Sequence, residues 1–417
     1  MDDPRTGSQL PDVLTDDPEA TVTATDRIDP ARLAQLRREF PILRRAAYLN
    51  SCSLGALSDR AKARLDGFLD DWHELGASAW HRRWLARVEE LRGRVAAFWG
   101  SNADEVALLP TASTAISAVA HAAKRLRAPA PGAGCGQERN RVVCTDLDFP
   151  TLAYQWAVQD DVELVVLESE DGIGIDPQQF ADAVDDRTFL LATSHVFFTT
   201  GFAQDLPTLS EIAHDAGALC LIDGYQGAGQ LPLSVGDTGV DAYVAGPLKW
   251  LCGGAGLAYL YVREELIASL EPVLTSWFAT ENQFSFDIGR FRLRQDARRF
   301  ELGTPALPTV HTALGGQSLI DDVGIERIAG RNATLSRRFV EGARTSGLDV
   351  RYPDPEHRSA ILTVRHPDPA GAVKRLAERD IVVDHRPGLV RVSPHFYNTE
   401  TEIDLCVEAL SEFKGCG

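Results

Sequence analysis

The sequence predicts an α/β fold with a large, mostly parallel sheet and a smaller α+β domain at the C-terminal end. The first observation is a set of three apolar, strand-like runs: Ala218–Ile222, Asp241–Ala245 and Gly256–Val262. The second is that Asp223 and Lys249 follow two of these runs, at the strand ends where α/β sheets bind ligands. The third is size, because 417 residues with 44% hydrophobic residues suffice for two packed domains.

Composition and charge exclude several classes of partner. The formal net charge of -18 would repel nucleic acids and anionic membranes. The sequence contains neither an apolar run long enough to span a bilayer nor a signal-peptide pattern, so we expect a cytoplasmic protein. The odd number and irregular spacing of the 7 cysteines match no zinc motif and suit a reducing compartment. We therefore expect no metal site.

Composition and periodicity divide the chain into four parts. Residues 1–28 are rich in Asp, Pro, Thr and Gly, which predicts a disordered acidic tail. Residues 29–47 begin with an Asp cap followed by Pro, which predicts a short helical segment that packs with the small domain. Residues 48–300 are expected to form the large domain. Residues 301–417 alternate amphipathic helices with short strands, which predicts the small domain.

Lys249 and Asp223 suit one cofactor, pyridoxal phosphate (PLP). A lysine amine forms a Schiff base with an aldehyde, and the PLP ring nitrogen needs an acid to keep it protonated. We therefore expect Lys249 to form the Schiff base and Asp223 to pair with the pyridinium. Glycines around Lys249 fit a backbone that passes close to a ligand. The alternatives are a solvated lysine in a loop and an aspartate that caps a turn.

A helix start downstream of a predicted strand suggests a phosphate site. The strand Val106–Leu109 leads into a loop rich in small hydroxyl residues, and a helix begins near Ser113. Backbone N–H groups and the dipole at a helix start bind phosphate. An ordinary N-cap would use the same residues, so both interpretations stay open here.

These motifs, in this order, resemble the class V (fold type I) PLP-dependent enzymes from about Tyr48 to the C-terminus. The segments LATSHVFFTTGFAQDLPTLSEIAHDAGALCLIDGYQGAG and PLKWLCGGAGLAYLYV are most similar to those of isopenicillin N epimerases and kynureninases. The resemblance implies the PLP-dependent transferase fold type I and a small amino-acid substrate. It also implies a homodimer with a shared active site.

The resemblance also implies roles for residues around the cofactor. It favours phosphate binding by Ser113 and Thr114, and stacking of Phe149 on the cofactor ring. Gln226 stands where family members hold a residue that contacts the phenolic oxygen of the cofactor. His195 lies where a polar residue contacts the same oxygen or the substrate, although a buried structural histidine is an equal alternative.

Further roles implied by the resemblance lie outside this cluster. Trp277 matches a tryptophan that reaches the phosphate, and Thr304 matches a residue that completes the phosphate site from the partner subunit. Arg391 matches the arginine that grips the substrate carboxylate with two parallel hydrogen bonds. Ser53 and His81 are candidates for the substrate side of the site, with a turn or packing role as the alternative.

The sequence indicates the cofactor more specifically than it indicates the reaction. Kynureninases carry Tyr and epimerases carry His before the Schiff-base lysine, whereas this chain has Leu248. We expect β-elimination from an S-substituted cysteine, with C–S bond cleavage, because Lys249 alone can drive that reaction. Epimerisation, kynureninase-like hydrolysis, transamination and decarboxylating deamination stay open.

Three further points bear on which function the protein has. Persulfide transfer as in cysteine desulfurases is disfavoured, because no cysteine lies between Cys252 and Cys406 to serve on a mobile loop. The class also includes enzymes of lincosamide antibiotic biosynthesis that process S-cysteine conjugates. A PLP-binding scaffold or regulator is the non-enzyme alternative; the short, acidic N-terminal segment and the presence of Lys249 argue against it.

Overall fold

The computed structural model describes residues 28–124 and 139–413. All of the predicted tail except Ile28 lies outside the described residues. Helices and strands alternate through most of the described chain, which confirms the predicted α/β class. No helix in these two ranges has both the length and the apolar character needed to cross a bilayer.

The described chain contains thirteen α-helices and thirteen strands, besides short 3-10 and π-helical turns. The helices are α1 Pro30–Arg38, α2 Asp59–Leu75, α3 Leu85–Phe98, α4 Ala112–Ala123, α5 Pro150–Ala157, α6 Pro177–Ala183, α7 Leu206–Asp215, α8 Val235–Thr238, α9 Glu264–Ile267, α10 Leu307–Val323, α11 Ile325–Thr345, α12 Pro369–Ala377 and α13 Glu400–Phe413. The strands are β1 Ala47–Tyr48, β2 Val106–Leu109, β3 Arg141–Thr145, β4 Glu163–Leu167, β5 Thr188–Ser194, β6 Leu219–Asp223, β7 Ala242–Ala245, β8 Ala258–Val262, β9 Val350–Arg351, β10 Leu362–Arg365, β11 Ile381–Val382, β12 Asp384–Arg386 and β13 Leu389–Val392.

A seven-stranded sheet in the order β2-β8-β7-β6-β5-β3-β4 forms the centre of the molecule. The neighbouring strands from β4 to β7 are parallel, and β8 runs antiparallel to both of its neighbours. The sheet is therefore mostly parallel, as predicted. Strands β5, β7 and β8 are buried along their whole length, because apolar clusters cover both faces of the sheet. Such burial explains the continuous apolar runs in the sequence.

Local sequence signals set where the helices begin. The side chain of Asp29 accepts hydrogen bonds from the first turn of α1, and Pro30 occupies its first position. Ser58 caps α2 and Thr111 caps α4 in the same way. Each cap satisfies an N–H group that a helix cannot pair internally. Capping therefore fixes the start of α4 at the edge of the central sheet.

A second, four-stranded antiparallel sheet lies in the C-terminal part of the chain. Its order is β12-β13-β10-β9, and its own apolar cluster packs it against α11, α12 and α13. The N-terminal segment reaches this region, because β1 pairs in parallel with β11 through Ala47 and Ile381. The chain around residue 50 is thereby held between the two sheets.

Helices α2 and α10 pack so closely that glycine is required at their contact. A Cβ atom on Gly315 would lie 2.4 Å from the Cα atom of Ala61, and one on Gly316 would lie 2.3 Å from the carbonyl oxygen of Leu251. These distances are far below van der Waals contact. Backbone atoms meet directly here, and α10 in turn supports the loop that carries Lys249.

We predict that Gly315→Ala lowers the stability of the protein by about 1–3 kcal/mol, because the added methyl group forces the two helices apart. Gly93→Ala is the matched control, since a Cβ atom there meets nothing within 4 Å in the interior of α3. That variant should gain about 0.5–1 kcal/mol. Thermal unfolding of both variants checks the prediction, and equal midpoints would contradict the packing argument.

Candidate active site

A cavity of about 210 Å³ opens at the carboxyl ends of β3, β5, β6 and β7. The chain turns from β3 outward to β4 and then returns to β5 on the other side of β3, so this edge contains a switch in strand order. Such switch points are the usual ligand sites of α/β sheets. The cavity is lined by Ala112, Ser113, Ile116, Phe149, Thr151, Ser194, Val196, Phe198, Asp223, Tyr225, Gln226, Leu248 and Lys249.

Lys249 and Asp223 enter the cavity from neighbouring strands. Asp223 ends β6 in register with Val244 of β7, and the chain leaves β7 through a turn that carries Lys249. Burial lowers the pKa of the Lys249 amine to about 8, and the negative charge of Asp223 opposes this shift. Burial raises the pKa of Asp223, and the backbone N–H of Tyr225 and the charge of Lys249 oppose it. Each charge therefore supports the other in a poorly hydrated site.

Tyr225 links the two charged residues. Its backbone N–H donates to Oδ1 of Asp223 at 2.9 Å, which fixes the carboxylate. Its ring lies 5.0 Å from Nζ of Lys249, measured to the ring centroid. Burial holds the pKa of the Tyr225 hydroxyl well above its usual value, so this phenol stays neutral near pH 7.

The amide of Gln226 has one defined orientation. Its Oε1 atom accepts a hydrogen bond from the indole N–H of Trp250 at 2.9 Å. Its Nε2 atom donates to the carbonyl oxygen of Cys52 at 3.0 Å. An amide nitrogen has two N–H groups, so the second is available to a ligand oxygen in the cavity. Gln226 is thus positioned as a neutral donor.

Phe149 forms part of the opposite wall. It is 45% exposed, and its ring packs edge-on against Phe198 with 5.2 Å between the centroids. The preceding residue, Asp148, is buried and accepts hydrogen bonds from Thr193 and from both the backbone and the hydroxyl of Ser194. Asp148 therefore ties the loop after β3 to the end of β5 and holds the Phe149 backbone in place.

One end of the cavity is formed by the N-terminus of α4. Thr111 caps the helix by accepting the N–H of Thr114, and its hydroxyl lies 2.8 Å from that of Thr114. Ser113 lines the cavity, and it also lines, together with Thr114, an adjacent cavity of about 290 Å³. N–H groups in the first turn of a helix lack internal partners. The end of the cavity near Ser113 is therefore suited to an anion.

His195 is buried beneath the cavity and is not among the residues that line it. Its Nδ1 atom lies 3.0 Å from the hydroxyl of Tyr243, and burial lowers the pKa of the imidazole to about 4. The ring fits closely against Gly227, where a Cβ atom would lie 2.2 Å from Nδ1. This position supports the structural alternative, and a cofactor contact by His195 stays a prediction.

Arg391 and Ser53 meet beside the cavity, together with a residue that the sequence analysis did not include. Arg391 forms two parallel hydrogen bonds with Asp384, Nε to Oδ1 at 2.8 Å and Nη2 to Oδ2 at 2.6 Å. Nη2 also donates to Oγ of Ser53 at 2.8 Å, and Ser53 donates to Asp384. The guanidinium reaches the cavity wall through Nη1, which donates to the carbonyl oxygen of Phe198 at 2.6 Å.

His81, Trp277 and Thr304 do not line the cavity within this chain. His81 and Trp277 belong to one aromatic cluster, because both rings pack against Phe284 with centroid separations of 5.6 and 6.0 Å. Trp277 is 40% exposed, and Thr304 lies in an exposed turn that precedes α10. Their predicted roles toward the phosphate and the substrate stay predictions.

Residues 57–406 match the sequence-family model of the class-V aminotransferases. The chain belongs to the class-V aminotransferase family. It is 30% identical over 377 residues to an uncharacterized aminotransferase, YcbU, of Bacillus subtilis. That alignment covers 90% of this chain and 97% of YcbU. It is 27% identical over 387 residues to the kynureninase of Geobacillus thermodenitrificans, covering 88% of each chain.

A solved structure shows the same fold. The apo cysteine desulfurase of Thermococcus onnurineus superposes with a TM-score of 0.81 at 20% sequence identity, over 91% of this chain and 98% of that chain. The class-V aminotransferases are PLP enzymes. The predicted fold type and cofactor class are therefore confirmed.

The residues of this class-V aminotransferase fit PLP. Lys249 supplies an amine with a lowered pKa, and Asp223 supplies a buried carboxylate in the same cavity. Phe149 supplies an aromatic face, and the start of α4 supplies N–H groups for a phosphate. Gln226 adds a neutral donor between these two ends. Lys249 would hold the aldehyde carbon of the cofactor, Asp223 its ring nitrogen and Phe149 its ring face. The start of α4 would hold the phosphate, and Gln226 would donate to the phenolic oxygen.

Sequence reasoning missed Asp384, Phe198 and Trp250. A signal for Asp384 was present, because the Pro387–Gly388 turn in DHRPGLVR predicts a tight hairpin. In that hairpin Asp384 pairs directly with Arg391 across β12 and β13. Phe198 and Trp250 carried no comparable signal, since an aromatic residue in an apolar run is usually part of a core.

We predict that the rate at which PLP attaches to the apoprotein depends on the protonation of Lys249, with a pKa of about 8. The neutral amine of Lys249 is the nucleophile, so the rate of cofactor attachment should rise with pH through that value and level off above it. Stopped-flow absorbance of the bound cofactor measures the rate. Asp223→Asn should move the midpoint to lower pH, because the Asp223 carboxylate raises the pKa of Lys249. A midpoint near the ordinary lysine value of 10.5 would contradict the assignment.

Proposed function

We propose that this PLP-dependent enzyme cleaves the Cβ–S bond of an S-substituted cysteine by β-elimination. The observation that carries the proposal is the presence of one base in the cavity. Burial lowers the pKa of Lys249 to about 8, whereas Asp223 is assigned to the cofactor nitrogen and burial raises the pKa of the Tyr225 hydroxyl. Leu248, the residue before Lys249, is apolar and lines the cavity.

A single base suits elimination. When bound, PLP supplies an electron sink for the bond electrons released at the substrate Cα. Lys249 removes the Cα proton, and the Cβ–S bond breaks with its electron pair leaving on sulfur. Sulfur departs as a thiolate, so the step requires no acid of high strength beside the leaving group. Addition of water releases the remaining carbons as pyruvate and ammonia.

Two of the competing reactions require groups beyond Lys249, whereas transamination, in which the Cα proton moves to the cofactor, requires only that base. Epimerisation by two bases requires a second proton-transfer group on the opposite face of the substrate. Among the described residues that line the cavity, the titratable ones are Lys249, Asp223 and Tyr225; Asp223 is assigned to the cofactor nitrogen, and burial raises the pKa of the Tyr225 hydroxyl. Hydrolysis of a kynurenine side chain requires an activated water, and Leu248 offers no group to activate it.

Persulfide transfer to any of the five described cysteines also finds little support. Cys52, Cys144, Cys220, Cys252 and Cys406 are all buried. Burial raises the pKa of the Cys252 thiol, the cysteine nearest Lys249 in sequence, to about 12. A buried, protonated thiol is a poor acceptor of sulfur. We therefore expect the released thiol or persulfide to leave as a small molecule.

The predicted homodimer is part of this proposal. An apolar patch lies exposed on the segment before α10: the rings of Trp277, Phe284 and Phe286 pack together, and Ile288 and Phe291 are exposed in the same segment, with Phe286 at 73% and Ile288 at 99% exposure. Exposed apolar patches of this kind mark protein interfaces. A second copy of the chain covering the patch would bring Thr304 toward the phosphate site of its partner, as the resemblance implies.

We expect the purified enzyme to release a thiol and pyruvate from S-alkyl-L-cysteines, measured by mass spectrometry of the products. Lys249→Ala should reduce the rate by at least about 100-fold, since the base is lost. Lys374→Ala, on α12, is the control and should retain full activity. If the conjugates survive while kynurenine is hydrolysed, or an amino acid is epimerised or transaminated, elimination is the wrong reaction.

We also expect the dimer to dissociate more readily in Phe286→Ser. Replacing an exposed phenyl ring in an interface removes apolar burial worth roughly 1.5–3 kcal/mol, which weakens association by about 10-fold or more. Light scattering across a dilution series measures the change. Leu405→Ser, which alters a residue exposed to 49% on α13, should leave the association constant unchanged. A wild-type protein that is monomeric throughout would contradict the shared site.

A further inference from the structure

A cavity of about 750 Å³ lies between α11 and the segment that joins β9 to β10, and we call it the α11 cavity. One wall is a stripe of α11 that includes Asn332 and Arg337. Residues within 352–360 form the facing wall, and Gln230 contributes from the large domain. Among the described residues, none lines both this cavity and the active-site cavity. Its volume lies in the range of small-molecule sites.

Two guanidinium groups approach each other from these facing walls. Arg358 lies over the ring of Tyr352, with 4.8 Å between Cζ and the ring centroid, and its Nε donates to the carbonyl oxygen of Pro353 at 3.0 Å. Burial raises the pKa of the Tyr352 hydroxyl, and the charges of Arg358 and Arg337 are among the effects that oppose this shift. Both cations therefore lie near that hydroxyl.

Arg358 is prepared to bind an anion. Its Nη1 and Nη2 atoms form no hydrogen bond with any residue that the structure describes. The contact of Nε with Pro353 and the stacking on Tyr352 fix the plane of the guanidinium. A planar pair of donors held over an aromatic ring matches the oxygens of a carboxylate or a phosphate.

The charges that line the α11 cavity have a positive excess. Three arginines face two glutamates, which leaves one positive unit; these residues are Arg337, Arg344, Arg358, Glu341 and Glu356. The whole chain carries a formal net charge of -18. A locally positive cavity on an acidic protein favours a small anion over a cation.

Asn332 adds an unpaired polar atom to the wall of the cavity. The residue is 3% exposed, and its Nδ2 lies 3.4 Å from Nδ1 of His395. His395 Nε2 lies 2.9 Å from the carbonyl oxygen of Trp250, so Nε2 carries the proton and Nδ1 accepts from Asn332. Oδ1 of Asn332 is buried without a hydrogen-bond partner in the described part of the chain. Such an atom is costly to leave unpaired, and a hydroxyl or amine of a ligand would satisfy it.

Two chains of hydrogen bonds connect the α11 cavity to Gln226 of the active site. Gln230 accepts a backbone N–H of the facing wall at 2.8 Å and donates to the backbone oxygen of Gln226. The second chain runs from Asn332 through His395 to Trp250, whose indole donates to Oε1 of Gln226. Backbone and side chain of Gln226 are thus both tied to this cavity. Since buried polar groups keep their partners, a shift at the cavity wall displaces Gln226 as well.

We propose that the α11 cavity is a regulatory site for an organic anion, a carboxylate or phosphate ester that also carries a hydroxyl or amine donor. The anionic group binds Arg358 and Arg337, and the donor reaches Oδ1 of Asn332. The two hydrogen-bond chains transmit binding to Gln226 and so to the cofactor. The inference requires bound PLP and is independent of the reaction that the enzyme catalyses.

The test uses enzyme loaded with PLP and freed of excess PLP, because free PLP is itself a phosphate ester. Adenosine 5'-monophosphate and citrate are the probes for a phosphate ester and a carboxylate, and adenosine is the uncharged counterpart of the nucleotide. Calorimetry should show binding of at least one anion and no comparable binding of adenosine. Arg358→Gln should weaken anion binding about 10- to 100-fold, the value of charge-assisted hydrogen bonds. Arg358→Lys keeps the charge without the planar fork and should retain part of the affinity.

Arg365→Gln is the matched control, because it removes the same charge from a side chain exposed to 59% on β10. It should bind the anion like the wild type. Failure of both anions to bind the wild type would overturn the site. An affinity in Arg358→Gln equal to that of the wild type would overturn it as well.

The regulatory role is tested through the absorbance of bound PLP. Saturation with the anion should change the spectrum of the wild type, and Gln230→Met, which removes both hydrogen bonds at similar side-chain size, should reduce that change. By linkage, the anion should also bind the apoprotein and the PLP-loaded enzyme with different affinities. Anion binding with an unchanged spectrum and equal affinities would overturn the regulatory role. None of these measurements depends on thiol release, so they are independent of whether β-elimination is the reaction.

Discussion

The site depends on the burial of one amine beside one carboxylate. Burial lowers the pKa of Lys249 and raises that of Asp223, and the charge of each residue opposes the shift of the other. The parallel strands β6 and β7 bring the two groups to one edge of the sheet. The reactivity of the lysine is therefore a consequence of the fold, and any change that hydrates this edge would return the amine toward an ordinary lysine.

A network of buried polar contacts holds the pieces around this pair. Trp250 donates to Gln226 through its indole, and its carbonyl oxygen lies 2.9 Å from Nε2 of His395 in the C-terminal part of the chain. Gln226 donates in turn to the carbonyl of Cys52, in the segment between β1 and α2. Three distant parts of the sequence thus meet behind Lys249. Because buried polar groups without partners are costly, the network fixes the relative position of these parts more strictly than apolar packing would.

The features that sequence reasoning predicted are those with a local cause. The strands around Asp223 and Lys249 were predictable because parallel strands buried on both faces read as apolar runs, and a polar residue at their carboxyl end is conspicuous. The direction of the His195 ring was not predictable, because the residue follows its strand and could face either side of the sheet. The pairing of Arg391 with Asp384 depends on hairpin register, in which a shift of one residue would place a different side chain opposite the arginine.

The cavity combines polar groups with apolar walls. The start of α4 offers N–H groups, Arg391 donates to the backbone of Phe198, and Ile116, Val196, Phe198 and Leu248 are among the lining residues. Apolar walls accept a thioether side chain at little desolvation cost, whereas a charged side chain would lose its water without compensation. In the proposed reaction, Lys249 removes the Cα proton and a leaving group at Cβ carries the electrons away. With a substrate that lacks such a group, the same base would return the proton to Cα or deliver it to the cofactor, as in transamination.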